Sequence, residues 1–307
     1  MRDWRFEDVL VAQVRKHQSL GRSLVRILRK AFPHNVIVLE YPIDSRPRWD
    51  QQRPNPHLYE AISRQRASYA NSLRSFLQFS DDFSRIATRP PATHAPGDPH
   101  WINGWLPALD GIALYSLLVL HNPAHYVEVG SGNSTKFARR AITDHRLQTR
   151  ITSIDPFPRA EIDAICDRVI REPVERVALD TFDVLQPGDI LFIDSSHRSF
   201  MNSDVTMLFL DVLPRLKPGV LVQVHDVTLP SDYPPQWVDR HYSEQYLLAA
   251  YLLGSQDRLE IVFPAAFVSD DPELHRILAP IWAADWMAGA ETYGGSFWFV
   301  TPRVSRP

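Results

Sequence analysis

The chain contains one cysteine among 307 residues. Cys166 cannot close an internal disulfide, and a lone thiolate cannot build a structural zinc cluster, so neither kind of staple is available to this fold. Cysteine poverty also fits a reducing compartment, and a cytoplasmic location is the expectation. Neither sign of charge is in surplus: thirty-three basic residues face thirty-six acidic ones, leaving a formal charge of −3. A polyanionic nucleic acid is therefore not the expected partner. Only Lys16, Lys30, Lys136 and Lys217 are lysines; the other basic residues are arginines, a bias from which no function follows. Long apolar runs are missing too. The stretch IALYSLLVL at 112–120 falls well short of the ~20 residues needed to span a bilayer, and the first fifteen residues are too charged for the apolar region of a signal peptide. No membrane partner is expected.

What the chain has is an uneven distribution of twenty-five prolines. Pro47, Pro54 and Pro56 precede a helical pattern, and RPPATHAPGDP at 89–99 is a breaker-rich loop or linker. Between these breaks Leu58, Ile62, Tyr69, Leu73, Phe76 and Leu77 recur at helical steps, which predicts an amphipathic helix over 57–78. A strand-like run lies at 34–44, and WLPALDGIALYSLLVL predicts a second helix over 105–120.

Beyond His121 short apolar runs alternate with helical segments. Strands are expected at 126–130, 150–155, 168–172, 189–194 and 219–226, and helices around 134–145, 160–167, 199–213 and 241–254. Such alternation builds a parallel sheet, because each parallel connection needs a crossover. Two later runs, 259–268 and 295–302, are candidates for an antiparallel closing pair. The expected organisation is a mainly helical N-terminal extension over 1–120, covering an acceptor site or mediating self-association into a homo-oligomer, followed by an α/β domain over 121–307.

YVEVGSGNSTKFARR places Gly130 and Gly132 where the first of these strands turns into a helix. Glycine permits the sharp turn and leaves the helix N-terminus open to a ligand. A dinucleotide loop would have a third small residue where Thr135 stands, which weighs against a nicotinamide oxidoreductase. Glu128, two residues before the loop, would repel a pyrophosphate but suits a positively charged or amine-bearing cofactor. Asp155 ends the second strand, twenty-five residues after Gly130, where a carboxylate can accept both hydroxyls of a ribose; followed by Pro156, it could equally begin a turn. A second group stands at later strand ends: Asp194, His197 and Asp204 in DILFIDSSHRSFMNSD, and His225 and Asp226 in GVLVQVHDV. Ligands collect beyond the carboxyl ends of parallel strands, so these side chains should converge. Two chemistries compete: Asp194 and Asp226 as ligands of Mg²⁺, or His197 or His225 as a general base. Each histidine could also merely orient a neighbour.

The run EVGSGNSTKFA, then SIDP, GDILFIDSSH and LPRLKPGVLVQVHDV, resembles the successive motifs of class I S-adenosylmethionine-dependent methyltransferases over about 105–307, most of all bacterial O-methyltransferase-like proteins. The resemblance implies a Rossmann-like, mostly parallel seven-stranded sheet in the order 3-2-1-4-5-7-6 with the last strand antiparallel. It implies that Glu128, Gly130, Ser131, Gly132 and Asn133 line the methionine and ribose side of S-adenosylmethionine and that Asp155 holds the ribose, with Asp194 beside the cofactor. Asn133 stands where many members carry a third glycine. Val227 follows Asp226, where metal-dependent catechol-type members usually carry asparagine. The expected reaction is O-methylation of a small-molecule hydroxyl; a silent methyltransferase-like scaffold is the alternative from another class. Tyr233, Trp237, His241, Tyr242 and Glu244 are candidates for acceptor contacts, whereas Tyr246, Leu247, Tyr251 and Leu252 have the spacing of core residues.

Overall fold

The computed structural model describes residues 44–91, 95–255 and 259–302, together with positions 27, 30 and 31. The chain divides into two compact units, Met1–Ser45 and Arg46–Pro307. In the first, positions 27, 30 and 31 are helical, and the strand expected at 34–44 falls almost wholly outside the described residues.

Helix α1 (Pro56–Ser63) begins where Asn55 Oδ1 accepts from the amides of His57 and Leu58, with Pro56 at its first turn. The single helix expected over 57–78 is interrupted after Ser63, and α2 (Arg66–Phe76) follows. A reason is visible at the break: the Tyr69 hydroxyl donates to the Ile62 carbonyl at 2.8 Å, taking an acceptor that an unbroken helix would offer to Arg66. Tyr69, Leu73 and Phe76 still turn one face inward. Helix α3 (Ala108–His121) follows Pro107, stops at Asn122 in a left-handed conformation (φ 44°), and is buried along nearly its whole length.

The sheet comprises β1 (His125–Val129), β2 (Arg150–Ile154), β3 (Arg168–Ile170), β4 (Ile190–Ile193), β5 (Leu221–Val224), β6 (Glu260–Pro264) and β7 (Phe297–Val300) in the order β3-β2-β1-β4-β5-β7-β6. The first five are parallel, and β7 runs antiparallel to both β5 and β6. This is the expected Rossmann-like topology. Strand β4 is apolar throughout and its neighbours β1 and β5 are mostly so, with Glu128 and Gln223 as buried polar exceptions, because both faces of the sheet are covered. Helix α4 (Asn133–His145) connects β1 to β2 and packs beside α3.

Two crossovers and one strand differ from expectation. Between β2 and β3 the predicted helix is a single tight turn, Asp163–Ile165, since Ile162 is the one deeply buried apolar side chain there and Pro156 and Pro158 precede it. Helix α5 (Asp204–Met207), capped by Ser203, widens over Leu208–Val212 and ends in a tight turn at Pro214, which has no N–H to continue the ladder. The run 259–268 is a strand only to Pro264, after which Ala265–Asp270 is helical. Helix α6 (Glu244–Gly254) buries Leu252, leaves Leu247 and Tyr251 at the edge of the core, and exposes Tyr246, whose hydroxyl donates to Asp232.

Register positions the site. Val129 pairs with Ile154 on one side and Ile193 on the other, and Ile193 pairs with Val224. The first residues past these strand ends, Gly130, Asp155, Asp194 and His225, therefore form one row along the carboxyl edge of the sheet.

Candidate active site

At Gly130 the backbone has φ +81°, and a Cβ there would lie 1.7 Å from the Asp194 carbonyl oxygen. Only glycine lets the β1 turn pass this close to the end of β4. Gly132 is different: its backbone is extended and a Cβ would meet nothing within 4 Å, so it borders open space. The loop is held from below. The Gly132 amide donates to Thr135 Oγ1 at 3.0 Å, and that hydroxyl donates to Glu128 Oε2, whose other oxygen accepts from Tyr126 OH at 3.0 Å. Burial pushes the Glu128 carboxyl up to about 7, against the hydrogen bonds of Ser134, Thr135 and Tyr126. Glu128 is wholly buried and reaches the loop through Thr135 without lining the space above it.

Asp155 ties the second strand end to the same loop. One carboxylate oxygen accepts from the Ser131 amide (2.8 Å) and the other from the Phe157 amide (2.7 Å), while Ser131 Oγ bonds Ser153 Oγ at 2.8 Å. Each Asp155 oxygen retains a further lone pair. Gly130, Ser131, Gly132, Asn133, Asp155 and Asp194 together border a cavity of about 740 Å³, whose walls also include Phe157, Lys136 and Ser195. Ser195 Oγ is buried without a partner.

A second cavity, about 970 Å³, adjoins the first, and Trp105, Arg159 and Asp194 border both. The Arg159 guanidinium lies 4.3 Å above the Trp105 ring at this boundary. Tyr233, Trp237 and Tyr242 line the second cavity; His241 does not, and Glu244 lies buried behind it. Segment 47–52 contributes Trp49 and Gln51 to its wall. That segment is pinned by the Arg48 and Trp49 amides on Asp232 (2.6 and 3.1 Å) and by Gln51 Nε2 on Asp270 (2.6 Å).

Asp194, His197, His225 and Asp226 do converge at this boundary. His197 Nε2 is 3.2 Å from Asp194 and 3.4 Å from Asp226, and its Nδ1 is 2.9 Å from Glu244. His225 Nδ1 lies 3.6 Å from Asp194 and 3.5 Å from Asp226, with Nε2 3.3 Å from Asp110. Both nitrogens of each ring face carboxylate oxygens, an arrangement that suits a ring donating from both sides, an imidazolium. Burial opposes that charge, but Asp194 and Glu244 outweigh it and raise His197 to about 10; at His225, Asp194 and Asp110 do the same. Burial would raise Asp194, yet the two imidazoles hold it well below the usual carboxylate range. Asp204 stands apart, accepting from the amide and hydroxyl of Ser196.

Asp110 is the member that sequence reasoning missed. A charged residue inside the apolar run of α3 was the available signal. For Mg²⁺, Asp194 and Asp226 supply two carboxylates, but among the described residues no group of three or more His, Cys, Asp or Glu side chains is disposed to hold a metal ion. Their oxygens are turned toward imidazole nitrogens.

Residues 127–227 match a family model described as a methyltransferase domain. Among curated proteins, none matches the chain. Similar solved structures include an O-methyltransferase from Bacillus cereus in complex with SAH, 16% identical over 75% of this chain and 90% of that one, TM-score 0.36. A SAH-bound methyltransferase from Podospora anserina is 13% identical over 73% and 93%, TM-score 0.35. The plantazolicin methyltransferase in complex with SAH is 14% identical over 80% and 99%, TM-score 0.38. The matched segment, residues 127–227, is described by the same family that its motifs resemble. The first cavity fits the cofactor of that family: it combines an open glycine edge at Gly132, an acid with spare lone pairs at Asp155 and an unpartnered hydroxyl at Ser195. No described helix is long and apolar enough to cross a membrane.

Proposed function

We propose that this protein transfers a methyl group from S-adenosylmethionine to a hydroxyl of a small-molecule acceptor. The observation that carries the reading is that Asp194 borders both cavities and is backed by His197 and His225. The chemistry that bound S-adenosylmethionine supplies is a methyl carbon made electrophilic by a sulfonium. Asp155 would hold the ribose hydroxyls and the Gly130–Asn133 loop the amino-acid end. Methyl transfer needs chiefly alignment of the acceptor oxygen with that carbon.

A neutral hydroxyl becomes strongly acidic as its oxygen is alkylated, so a carboxylate suffices to take the proton. Asp194, with Asp226 beside it, is placed to do so and keeps the proton, while the two imidazolium rings, with both nitrogens already protonated, hold the carboxylates in place by donating to them. On this reading the histidines donate and orient instead of serving as the resting base. The mechanism uses no metal step. Trp49, Trp105, Pro107 and Asp110, all preceding β1, line the acceptor cavity, which supports a role for the segment before residue 121 in covering the acceptor.

Calorimetry with S-adenosylhomocysteine (SAH) tests the cofactor. Heat of binding is expected for the wild type and not for Asp155→Ala; no binding by the wild type overturns the reading in favour of a silent scaffold, and NADH binding in its place favours an oxidoreductase. A screen with radiolabelled methyl donor over tyramine, caffeate and methyl α-D-glucoside tests the hydroxyl acceptor. Turnover that persists in excess chelator is expected; loss restored by Mg²⁺ would return Asp194 and Asp226 to the role of ligands.

A further inference from the structure

Two buried carboxylates stand behind the histidines, and both lie outside the segment that matches the methyltransferase domain. Asp110 belongs to α3 and Glu244 to the first turn of α6. Neither residue is exposed at all, and burying a carboxylate is costly unless its oxygens find donors.

Asp110 meets that cost with backbone. Oδ2 accepts from the Gly295 amide at 2.7 Å and Oδ1 from the Ser296 amide at 2.9 Å. A side chain at position 294 would come within 2.5 Å of Oδ1, so the carboxylate is enclosed by the turn entering β7. Its further contact is His225 Nε2. Glu244 is less well served. Oε2 meets His197 Nδ1 at 2.9 Å, while Oε1 is buried with no partner. An acid kept there for packing would leave half its carboxylate unsatisfied, a cost an apolar residue of similar size avoids.

The backbone around His197 leads to the same place. His197 has φ +60° and Asp226 φ +53°, a region that residues with side chains seldom occupy. The His197 carbonyl accepts from the amides of Ser243 and Glu244 at 2.8 and 3.2 Å, so the start of α6 holds the residue by its backbone and by its ring together.

We infer that Glu244 and Asp110 are positioning residues that fix the ring orientation and proton placement of His197 and His225 against the Asp194–Asp226 pair. The inference rests on the methyltransferase reading above. It makes the acceptor side of the site a joint product of three regions of the chain: helix α3 before the sheet, the strand ends of β4 and β5, and helix α6 after them. Without the acid behind it each imidazole could rotate or change tautomer, and Asp194 would lose a donor aimed at it.

The test uses the full chain with histidine ring nitrogens labelled, saturated with SAH, and follows ring N–H signals by NMR. The wild type is expected to show two strongly deshielded ring N–H protons. Glu244→Ala should remove one and Asp110→Asn should shift the other, with SAH affinity within about threefold of wild type. Turnover of whichever compound in the acceptor panel reacts fastest should fall about 100-fold in Glu244→Ala with KM little changed, in the range of a lost acid–base arrangement. Glu244→Gln, whose amide oxygen still accepts from Nδ1, should recover about tenfold of that loss. Should Glu244→Ala not fold, Glu244→Gln and Asp110→Asn carry the same signals. Folded variants with unchanged ring signals, or with unchanged kcat, overturn the inference. Failure of the wild type to bind SAH overturns the methyltransferase reading instead, and the ring signals still report on the positioning.

Discussion

Replacing Gly130 by alanine probes the closest backbone approach in the site. The added Cβ would lie 1.7 Å from the Asp194 carbonyl oxygen and 2.7 Å from its carbon, whereas ordinary contact begins near 3.4 Å. Both obstacles are backbone, so no side chain can rotate away; β1 and β4 must separate at their ends by more than an ångström. The left-handed φ adds about 1–2 kcal/mol for a residue with a side chain. Overpacking adds about 1–3 kcal/mol, and the smaller entropy of the unfolded alanine chain returns about 0.4–1 kcal/mol. The net is a destabilisation of about 2–4 kcal/mol, read as a loss of roughly 5–10 °C in Tm. Separation also displaces Asp194 and the Ser131 amide that Asp155 holds, so SAH binding should disappear even where the protein remains folded. Gly132→Ala is the control. Its extended backbone and open surroundings predict stability within about 0.5 kcal/mol of wild type, with SAH affinity reduced because the new methyl enters the cavity. Denaturant unfolding and calorimetry measure both. A Gly130→Ala protein of wild-type stability and affinity would refute the argument that this contact closes the site.

Further outcomes follow from other parts of the molecule. Glu128 is raised from 4.5 to about 7 by burial, so the native state binds its proton more tightly than the unfolded state. Its contribution is fully present below pH 4.5 and is lost as pH rises through 7, amounting to about 3 kcal/mol. Unfolding followed between pH 5 and 8 should show a slope that Glu128→Gln flattens, and an unchanged slope would place the burial cost elsewhere. Tyr69→Phe strips the donor from the buried Ile62 carbonyl and should cost about 1–3 kcal/mol in denaturant unfolding, with SAH affinity untouched; a neutral result would mean that the helix break stands without that bond. Trp105→Ala removes a wall common to the two cavities and should weaken acceptor KM more than SAH affinity, a split that steady-state kinetics and calorimetry resolve.

Local signals carried most of the fold. The alternation of apolar runs and helical segments is a property of neighbouring residues, and it placed all seven strands within a few positions of where they lie. The glycine turn was legible for the same reason, since Gly130 and Gly132 stand directly between an apolar run and a helical one. Elements governed by distant partners were less so. The break between α1 and α2 depends on a hydroxyl seven residues away, and the run after Pro264 turns helical although its composition reads as strand.

The site divides along the same line. Composition and motif order determined that a parallel sheet would bring Gly130, Asp155, Asp194, His225 and Asp226 to one edge, because strand ends in such a sheet share a side. Tertiary structure alone decided what those side chains meet. Glu128 faces Tyr126 and Thr135 beneath the loop, Asp110 reaches His225 across 115 positions of sequence, and Glu244 reaches His197 across 47. No periodicity encodes such pairs; they exist because helices packed against both faces of the sheet bury their few carboxylates where the strand-end imidazoles can donate to them.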